Sequence, residues 1–143
     1  MPIKIKVVPD TNVFIAAALN RSYCHDWLFG ASEPLATYEL YVSEDILREV
    51  SDKLSDKFSF SRAETSKFLT DLDRILMKVR PSIQLDVVRD PKDNMILECA
   101  LEANAHLIIT FDKDLLSLKT YENVQIAHPR MTQCWLPSPQ QNS

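Results

Sequence analysis

Short apolar runs alternate with amphipathic segments along this chain. The runs are rich in aliphatic and β-branched residues, and they predict strands at about residues 3–8, 39–42, 83–88, 106–110 and 124–127. Apolar residues at helical spacing predict helices at about residues 11–19, 23–31, 43–54, 61–80 and 94–103, and a short one after 112. Because the strands are separated by helices and one strand is apolar throughout, we expect a mostly parallel sheet covered on both faces.

Two helix starts are marked by capping residues. Ser43 precedes two acidic residues, which favour the positive end of a helix. Ser61 and Glu64 fit a capping box. Apolar residues continue at helical spacing beyond Glu64 as far as Val79, so we predict one helix that ends at Pro81.

Length and composition indicate one domain. The chain has 143 residues, of which 45% are hydrophobic, enough for one core. We predict a single domain over residues 1–136 and a flexible tail over 137–143. Residues 1–8 lack the apolar stretch of a signal peptide, and no segment has the roughly 20 apolar residues of a membrane span. We therefore expect a soluble, cytoplasmic protein.

Composition also excludes several kinds of site. A net charge of −4 argues against a broad basic surface for duplex DNA, although an acidic pocket that takes up cations is compatible with a nuclease. Gly30 is the only glycine, which excludes Gly-rich phosphate-binding loops. The three cysteines have no CxxC spacing, so we expect free buried thiols, and the three histidines are isolated, which argues against zinc.

Acidic residues follow two of the predicted strands. Asp10 comes after the first strand and Asp112 after residues 106–110. The carboxyl ends of parallel strands lie at one edge of a sheet, where such sheets bind ligands, and helices that open near this edge can bring Glu49 and Asp93. Clustered carboxylates repel one another unless a cation neutralises them, and Mg²⁺ prefers oxygen ligands. The pattern therefore indicates a divalent-metal site.

Each of these acids has an alternative interpretation. Asp10, Asp93 and Asp112 all precede or begin helical segments, where aspartate is common because its oxygen accepts hydrogen bonds from free N–H groups. Glu44 and Glu49 lie on opposite flanks of the apolar face of the same helix, at comparable angles. Helix geometry alone does not choose between these two glutamates.

Four segments of the chain together resemble the PIN-domain family. They are DTNVF at residues 10–14, ILREV at 46–50, DPKDN at 90–94 and LIITFDKDLL at 107–116. The resemblance covers about residues 3–130, with the elements in the family's order, and the most similar branch is that of toxins of bacterial toxin–antitoxin systems. Pro9 departs from the pattern, because the family usually has an aliphatic residue there.

The resemblance implies a three-layer α/β/α fold with a central, mostly parallel sheet of about five strands. It implies RNA cleavage that depends on Mg²⁺ or Mn²⁺, and it favours Glu49 over Glu44 and Asp93 over Asp90. It also implies a homodimer and an antitoxin partner. The catalytic and metal-binding acids are then those that match the family's: Asp10, Glu49, Asp93 and Asp112.

Further polar residues flank these acids. Supporting groups that hydrogen-bond the carboxylates or metal-bound water are candidates at Thr11, Asn12 and Thr110, with ordinary capping as the alternative. Candidates for contact with RNA phosphates, with a solvated surface role as the alternative, are Arg89, Lys92 and Lys113.

Two rival functions fit parts of the pattern. A phosphatase that forms a phospho-aspartate would need a second Asp two residues after Asp10, and Asn12 occupies that place. A PIN-like interaction module that binds metal poorly is disfavoured because all four acids are present. We therefore expect a metal-dependent ribonuclease.

Overall fold

A six-stranded sheet forms the centre of the protein. In the computed structural model, which describes residues 3–20 and 23–135, the strands lie in the order β3-β2-β1-β4-β6-β5. Neighbouring strands are parallel, except that β5 is antiparallel to β6. The strands are β1 (Ile5–Pro9), β2 (Tyr38–Ser43), β3 (Leu76–Val79), β4 (Leu107–Ile109), β5 (Thr120–Tyr121) and β6 (Val124–Ala127).

Within the described ranges, six α-helices connect the strands, and a 3₁₀ helix (Pro129–Trp135) follows β6. The connections run from β1 to β2 and β3 in one direction, and then from β3 back to β4 and β6 in the other. Crossover connections between parallel strands are right-handed, so connections that run in opposite directions along the sheet place their helices on opposite faces. This arrangement gives three layers. The helices are α1 (Thr11–Ala18), α2 (Cys24–Gly30), α3 (Glu44–Phe58), α4 (Arg62–Asp73), α5 (Pro91–Ala103) and α6 (Lys113–Leu118).

Both faces of the central strands are buried. All three residues of β4 are buried, and in β2 every residue is buried except the partly exposed Glu39. Trp27 packs in the core and stacks against Tyr38, with ring centroids 5.6 Å apart. The sheet is thus covered on both sides, which confirms the predicted mostly parallel α/β architecture.

The first strand is predicted at about residues 3–8, and β1 extends one residue further, to Pro9. Pro9 is the last residue of β1 and lies in register with Ile109 of β4. The backbone N–H of Asp10 then donates to the Ile109 carbonyl oxygen at 2.9 Å. The proline therefore does not disturb the pairing that brings the ends of β1 and β4 together.

The predicted helix over residues 61–80 is wrong in its second half. The capping box at Ser61 and Glu64 is present, but α4 ends at Asp73, and Leu76–Val79 form β3 beside β2. Apolar residues at this spacing suit a short edge strand as well as a helix, and pairing with β2 decides between them.

The predicted strand at residues 83–88 does not form. Backbone N–H groups of residues 82–88 instead donate to side chains on one face of α5, spaced four residues apart at Asn94, Glu98 and Glu102. The donors are Ser82, Leu85, Val87 and Val88. These side chains accept the backbone hydrogen bonds that a neighbouring strand would otherwise accept. Because the acceptors lie on another element, the local sequence pattern does not reveal them.

Two of the three cysteines, Cys24 and Cys99, are free and buried, as predicted. The side chain of Cys134 and the predicted tail at 137–143 lie outside the described residues. None of the helices in the described part of the chain combines the length and apolar character that a membrane crossing requires.

Candidate metal centre

The candidate site lies where the sheet changes direction. The chain leaves β1 toward β2, whereas β4 lies on the other side of β1, so the crevice beyond the carboxyl ends of β1 and β4 is the switch point of this sheet. Asp10 follows β1, and Asp112 follows β4 after two residues. The topology therefore brings these two acids to one crevice, as the sequence predicted.

Three carboxylates meet most closely in this crevice. Each of Asp93, Asp112 and Asp114 offers an oxygen, and these three oxygens all lie within 4.8 Å of one another. Asp93 comes from the first turn of α5, whereas Asp112 and Asp114 come from the start of α6. Asp112 also caps α6, because its Oδ1 accepts from the Leu115 backbone N–H at 3.0 Å. Capping and a place in the cluster are thus compatible for this residue.

Asp10 lies buried beside this cluster and makes no N-capping hydrogen bond to α1. Its Oδ2 accepts a hydrogen bond from the Thr110 hydroxyl at 2.5 Å. Burial raises the pKa of the Asp10 carboxyl, and the charges of Asp112 and Glu49 raise it further, while hydrogen bonds from Thr110 and the Thr11 backbone act in the opposite direction. Asp10 thus shares an electrostatic environment with acids from α3 and α6.

The pKa of the Asp93 carboxyl group is strongly raised. Desolvation, followed by the charges of Asp112, Asp10 and Asp90 and a hydrogen bond with Asp112, raises its pKa to about 7. Among the residues that the structure describes, none donates a hydrogen bond to its buried Oδ2. A buried carboxylate oxygen without a donor is costly unless a proton or a cation neutralises it.

The carboxylate oxygens of this cluster are suitable ligands for a hard divalent cation. The ligand atoms are carboxylate oxygens alone, and they converge from two helix starts. Asp93 also has a buried oxygen, Oδ2, with no hydrogen-bond donor in the described part of the chain. Mg²⁺ and Mn²⁺ both accept such oxygen ligands. The residues best placed to hold an ion directly are Asp93, Asp112 and Asp114.

The structure separates the two glutamates that helix geometry left equivalent. The Glu49 side chain is 11% exposed and interacts electrostatically with Asp10. The Glu44 side chain is 69% exposed and pairs with Lys78 of β3 at 3.4 Å. Glu49 therefore borders the acid cluster and Glu44 does not. Glu49 lies outside the group of three close carboxylates.

A buried asparagine next to Asp93 links the start of α5 to residues 87–88. The amide of Asn94 accepts hydrogen bonds from the Val87 and Val88 backbone N–H groups, at 2.8 and 3.1 Å, and donates to the Val88 carbonyl oxygen at 2.9 Å. Asp90 caps α5 by accepting from the Lys92 backbone N–H. Asp90 thus caps the helix while Asp93 faces the crevice, a division of roles that the sequence left open.

The predicted supporting and RNA-contacting residues differ in burial. Thr11 and Thr110 are buried beside the acids, whereas Asn12 is exposed and its Oδ1 accepts from the Lys53 ammonium. Lys92 lies 3.9 Å from Glu49 Oε2 with its side chain 62% exposed. The other two predicted RNA-contacting residues, Arg89 and Lys113, are exposed.

Sequence reasoning missed three residues of this region: Lys53, Asn94 and Asp114. Asp114 had a usable signal, because Asp112 and Asp114 flank Lys113 at a helix start just beyond a strand end. Asn94 and Lys53 had none, since their partners are backbone groups and side chains that only the fold brings near.

Comparisons with known proteins agree with this architecture. The family profile of the PIN domain matches residues 6–114. An uncharacterised protein of Methanocaldococcus jannaschii is 36% identical over 125 residues, and the match covers 82% of this chain and 77% of that protein.

A solved structure shares the fold. It is VapBC2 from Rickettsia felis bound to a DNA fragment from their promoter. The TM-score is 0.63 at 15% identity, over 87% of this chain and 98% of the other. The family match spans most of the chain and includes all five acids of the crevice region, Asp10, Glu49, Asp93, Asp112 and Asp114. This chain therefore belongs to the PIN-domain family.

Proposed function

We propose that this protein is a divalent-metal-dependent endoribonuclease that hydrolyses RNA phosphodiester bonds. One observation carries the proposal: carboxylate oxygens of Asp93, Asp112 and Asp114 lie within 4.8 Å of one another at the switch point of the sheet. PIN domains are generally nucleases and typically bind divalent metals, which supports the same interpretation. The acidic crevice requires a cation before it can accept a polyanion.

The acids have different proposed roles. Asp93, Asp112 and Asp114 are the proposed direct ligands of one Mg²⁺ or Mn²⁺ ion. Asp10, fixed by Thr110, completes the ligand set or binds a second ion, and Glu49 adds negative charge on the α3 side. The pKa of Asp93 is raised mainly by burial and by its neighbours' charges, so binding of a cation offsets the repulsion that this carboxylate otherwise meets.

The chemistry is hydrolysis. A divalent ion held by these acids would supply Lewis acidity for activating water and for offsetting the charge that develops at the phosphate. Water gives up a proton as its oxygen forms a bond to phosphorus, the P–O3′ bond breaks, and the leaving O3′ takes up a proton, so the expected products carry a 5′-phosphate and a 3′-hydroxyl. The buried carboxylates of Asp10 and Asp93 keep the reacting groups oriented, because burial restricts both side chains and the Thr110 hydroxyl donates a hydrogen bond to Asp10.

We further propose that the protein acts as the toxin of a toxin–antitoxin pair, with a cognate antitoxin as partner and a homodimer as assembly, in the cytoplasm. The support is the resemblance to such toxins at residues 10–14, 46–50, 90–94 and 107–116, together with the fold shared with VapBC2. A single domain over residues 1–136 belongs to the same proposal.

A cleavage assay tests the nuclease proposal. Purified protein is incubated with single-stranded RNA and, separately, single-stranded DNA of the same sequence, with Mn²⁺, with Mg²⁺ or with excess EDTA. We expect RNA cleavage that requires the metal, and loss of at least about a hundredfold in Asp93→Asn, because Asn keeps the size but cannot neutralise a cation. Asp86→Asn, at an exposed position outside the crevice, is the matched control.

The outcomes separate the rival interpretations. Cleavage that persists in folded Asp93→Asn protein contradicts the assigned site. Cleavage of DNA in preference to RNA contradicts the substrate class. A wild-type protein that cleaves neither polymer with either metal favours the interaction module over the enzyme.

A further inference from the structure

Lys53 is a half-buried lysine at the border of the acid cluster. It lies on α3, one turn after Glu49, and its side chain is 22% exposed. Its Nζ donates a hydrogen bond to Asn12 Oδ1 at 3.1 Å and lies 3.7 Å from Glu49 Oε1. Lys57, the next lysine along the same helix, is exposed. The burial of Lys53 is therefore a property of its position and not of the helix as a whole.

Both partners of Lys53 belong to the region of the proposed site. Asn12 follows Asp10 by two residues in the chain, and the charge of Glu49 acts on Asp10. A lysine is rarely buried unless its charge is paired, because removing an ammonium from water costs free energy. Here Glu49 supplies the opposite charge and Asn12 supplies a hydrogen-bond acceptor, so the ammonium is held at a fixed place.

Among the residues that the structure describes, the acceptors around Lys53 leave part of the donor capacity of its ammonium unused. An –NH₃⁺ group offers three hydrogens, and Asn12 takes one of them. The separation from Glu49 Oε1 is that of an ion pair and is longer than a hydrogen bond. The other oxygen of Glu49 faces Lys92 at 3.9 Å, and the side chain of Lys92 is 62% exposed. Glu49 is thus flanked by two lysines. The ammonium of Lys53 is held more firmly in place than that of Lys92, because Lys53 is less exposed and donates a hydrogen bond to Asn12.

We propose that Lys53 binds a phosphate group of the RNA strand next to the acid cluster, and that Glu49 and Asn12 position its ammonium. This inference rests on the proposed function and deepens it by naming a residue that touches the substrate. A polyanion that enters an acidic crevice needs fixed positive charge beside the cations, and Lys53 supplies it on the α3 side. Glu49 is then a positioning residue, because it acts on the RNA through Lys53.

The test measures binding separately from cleavage. Single-stranded RNA of mixed sequence is titrated with protein, Ca²⁺ replaces Mn²⁺ to neutralise the carboxylates, and the RNA is checked for integrity afterwards. Lys53→Met should weaken RNA binding about tenfold and lower the slope of log affinity against log salt by about 0.7, the value for one phosphate contact on a single strand. Lys57→Met removes the same charge from an exposed position of α3 and should change affinity by less than about twofold.

Two further variants keep the test independent of folding and of net charge. Asn12→Ala leaves the charge unchanged and lies at an exposed position, and it should weaken RNA binding about threefold, since the ammonium loses its acceptor. Lys53→Arg keeps the charge and should recover part of the affinity lost in Lys53→Met. Melting temperatures confirm that each variant is folded.

Several results would overturn the proposal. They are equal RNA affinities for Lys53→Met and Lys57→Met, unchanged affinity in Asn12→Ala, absence of RNA binding by the wild type, or Mn²⁺ affinity at least about tenfold weaker in Lys53→Met. The last would show that Lys53 orders the metal ligands instead of the phosphate. RNA binding that depends on Lys53 without cleavage in Mn²⁺ would refute the nuclease and leave the phosphate site standing, so the two failures are distinguishable.

Discussion

The Thr110 hydroxyl donates a hydrogen bond to Asp10 Oδ2 at 2.5 Å, although the two residues are 100 positions apart in the chain. The same hydroxyl oxygen accepts a hydrogen bond from the Asp112 backbone N–H at 2.9 Å. Thr110 is fully buried. One side chain therefore fixes the carboxylate that follows β1 and also the start of the segment that carries Asp112 and Asp114.

Replacing Thr110 with valine should loosen both acids while keeping the side-chain shape. We expect a loss of about 1–3 kcal/mol in the free energy of unfolding, because Asp10 and the Asp112 N–H lose a buried partner. Mn²⁺ affinity should fall about tenfold or more, as when groups that orient metal ligands are removed. Calorimetric Mn²⁺ titration and urea unfolding measure the two effects. Thr70→Val, at an exposed position of α4, should change neither, and an unchanged Mn²⁺ affinity in Thr110→Val would exclude the orienting role.

Asp93 makes the stability of the metal-free protein depend on pH. Its pKa is about 7 in the folded protein, against an ordinary value of 3.8, chiefly because of burial and then because of neighbouring carboxylates. Between these values the folded protein holds a proton that the unfolded chain has released. The contribution of Asp93 to stability is therefore full at or below about pH 4 and is lost as the pH rises through 7.

Asp93→Asn should remove this pH dependence. In EDTA we expect the variant and the wild type to melt at similar temperatures near pH 4. Near pH 8 the variant should melt several degrees higher, since each kcal/mol of unfolding free energy shifts the melting temperature by roughly 2–4 °C. Saturating Mn²⁺ at pH 8 should reverse the order, because the ion stabilises the wild type by mass action. Scanning calorimetry checks this, with Asp86→Asn as the exposed control. A gap between variant and wild type that stays constant with pH would contradict the raised pKa.

Asp114 tests the part of the metal centre that the sequence did not predict. Asp114→Asn should weaken Mn²⁺ binding about tenfold, because one of three close carboxylates loses its charge. The fold should hardly change, since Asp114 is exposed in the first turn of α6 and its effect on the helix is about 0.3–1 kcal/mol. Asp45→Asn makes the same change in the first turn of α3, outside the group of three, and serves as the control for the calorimetric titration. If both variants bind Mn²⁺ like the wild type, Asp114 is not a ligand.

The position of the site could be predicted from the sequence because it depends on a general property of parallel sheets. Asp10 and Asp112 follow strands, and the carboxyl ends of β1 and β4 meet at the switch point whatever the details of packing. The caps at Ser43 and Ser61 could be predicted as well, because each is a local arrangement within four residues.

Details that depend on distant partners could not be predicted. Residues 76–79 form an edge strand because β2 lies beside them, and residues 82–88 remain outside the sheet because side chains of α5 accept their backbone hydrogen bonds. Likewise, helix geometry placed Glu44 and Glu49 at comparable angles from the apolar face and did not choose between them. The packing of α3 brings Glu49 near Asp10 and Glu44 near Lys78. Competition of this kind is decided by tertiary contacts and not by local preference.

A crystal soaked in Mn²⁺ would show whether the carboxylates beyond β1 and β4 form the divalent-metal centre that we propose. We predict an anomalous difference peak in the crevice within about 2.0–2.3 Å of oxygens from Asp93 and Asp112, with Asp114 or Asp10 as a further ligand. The peak should be absent from an Asp93→Asn crystal soaked in the same way. A peak that lies away from these residues, or a crevice without a peak at saturating Mn²⁺, would show that these carboxylates are not the metal ligands.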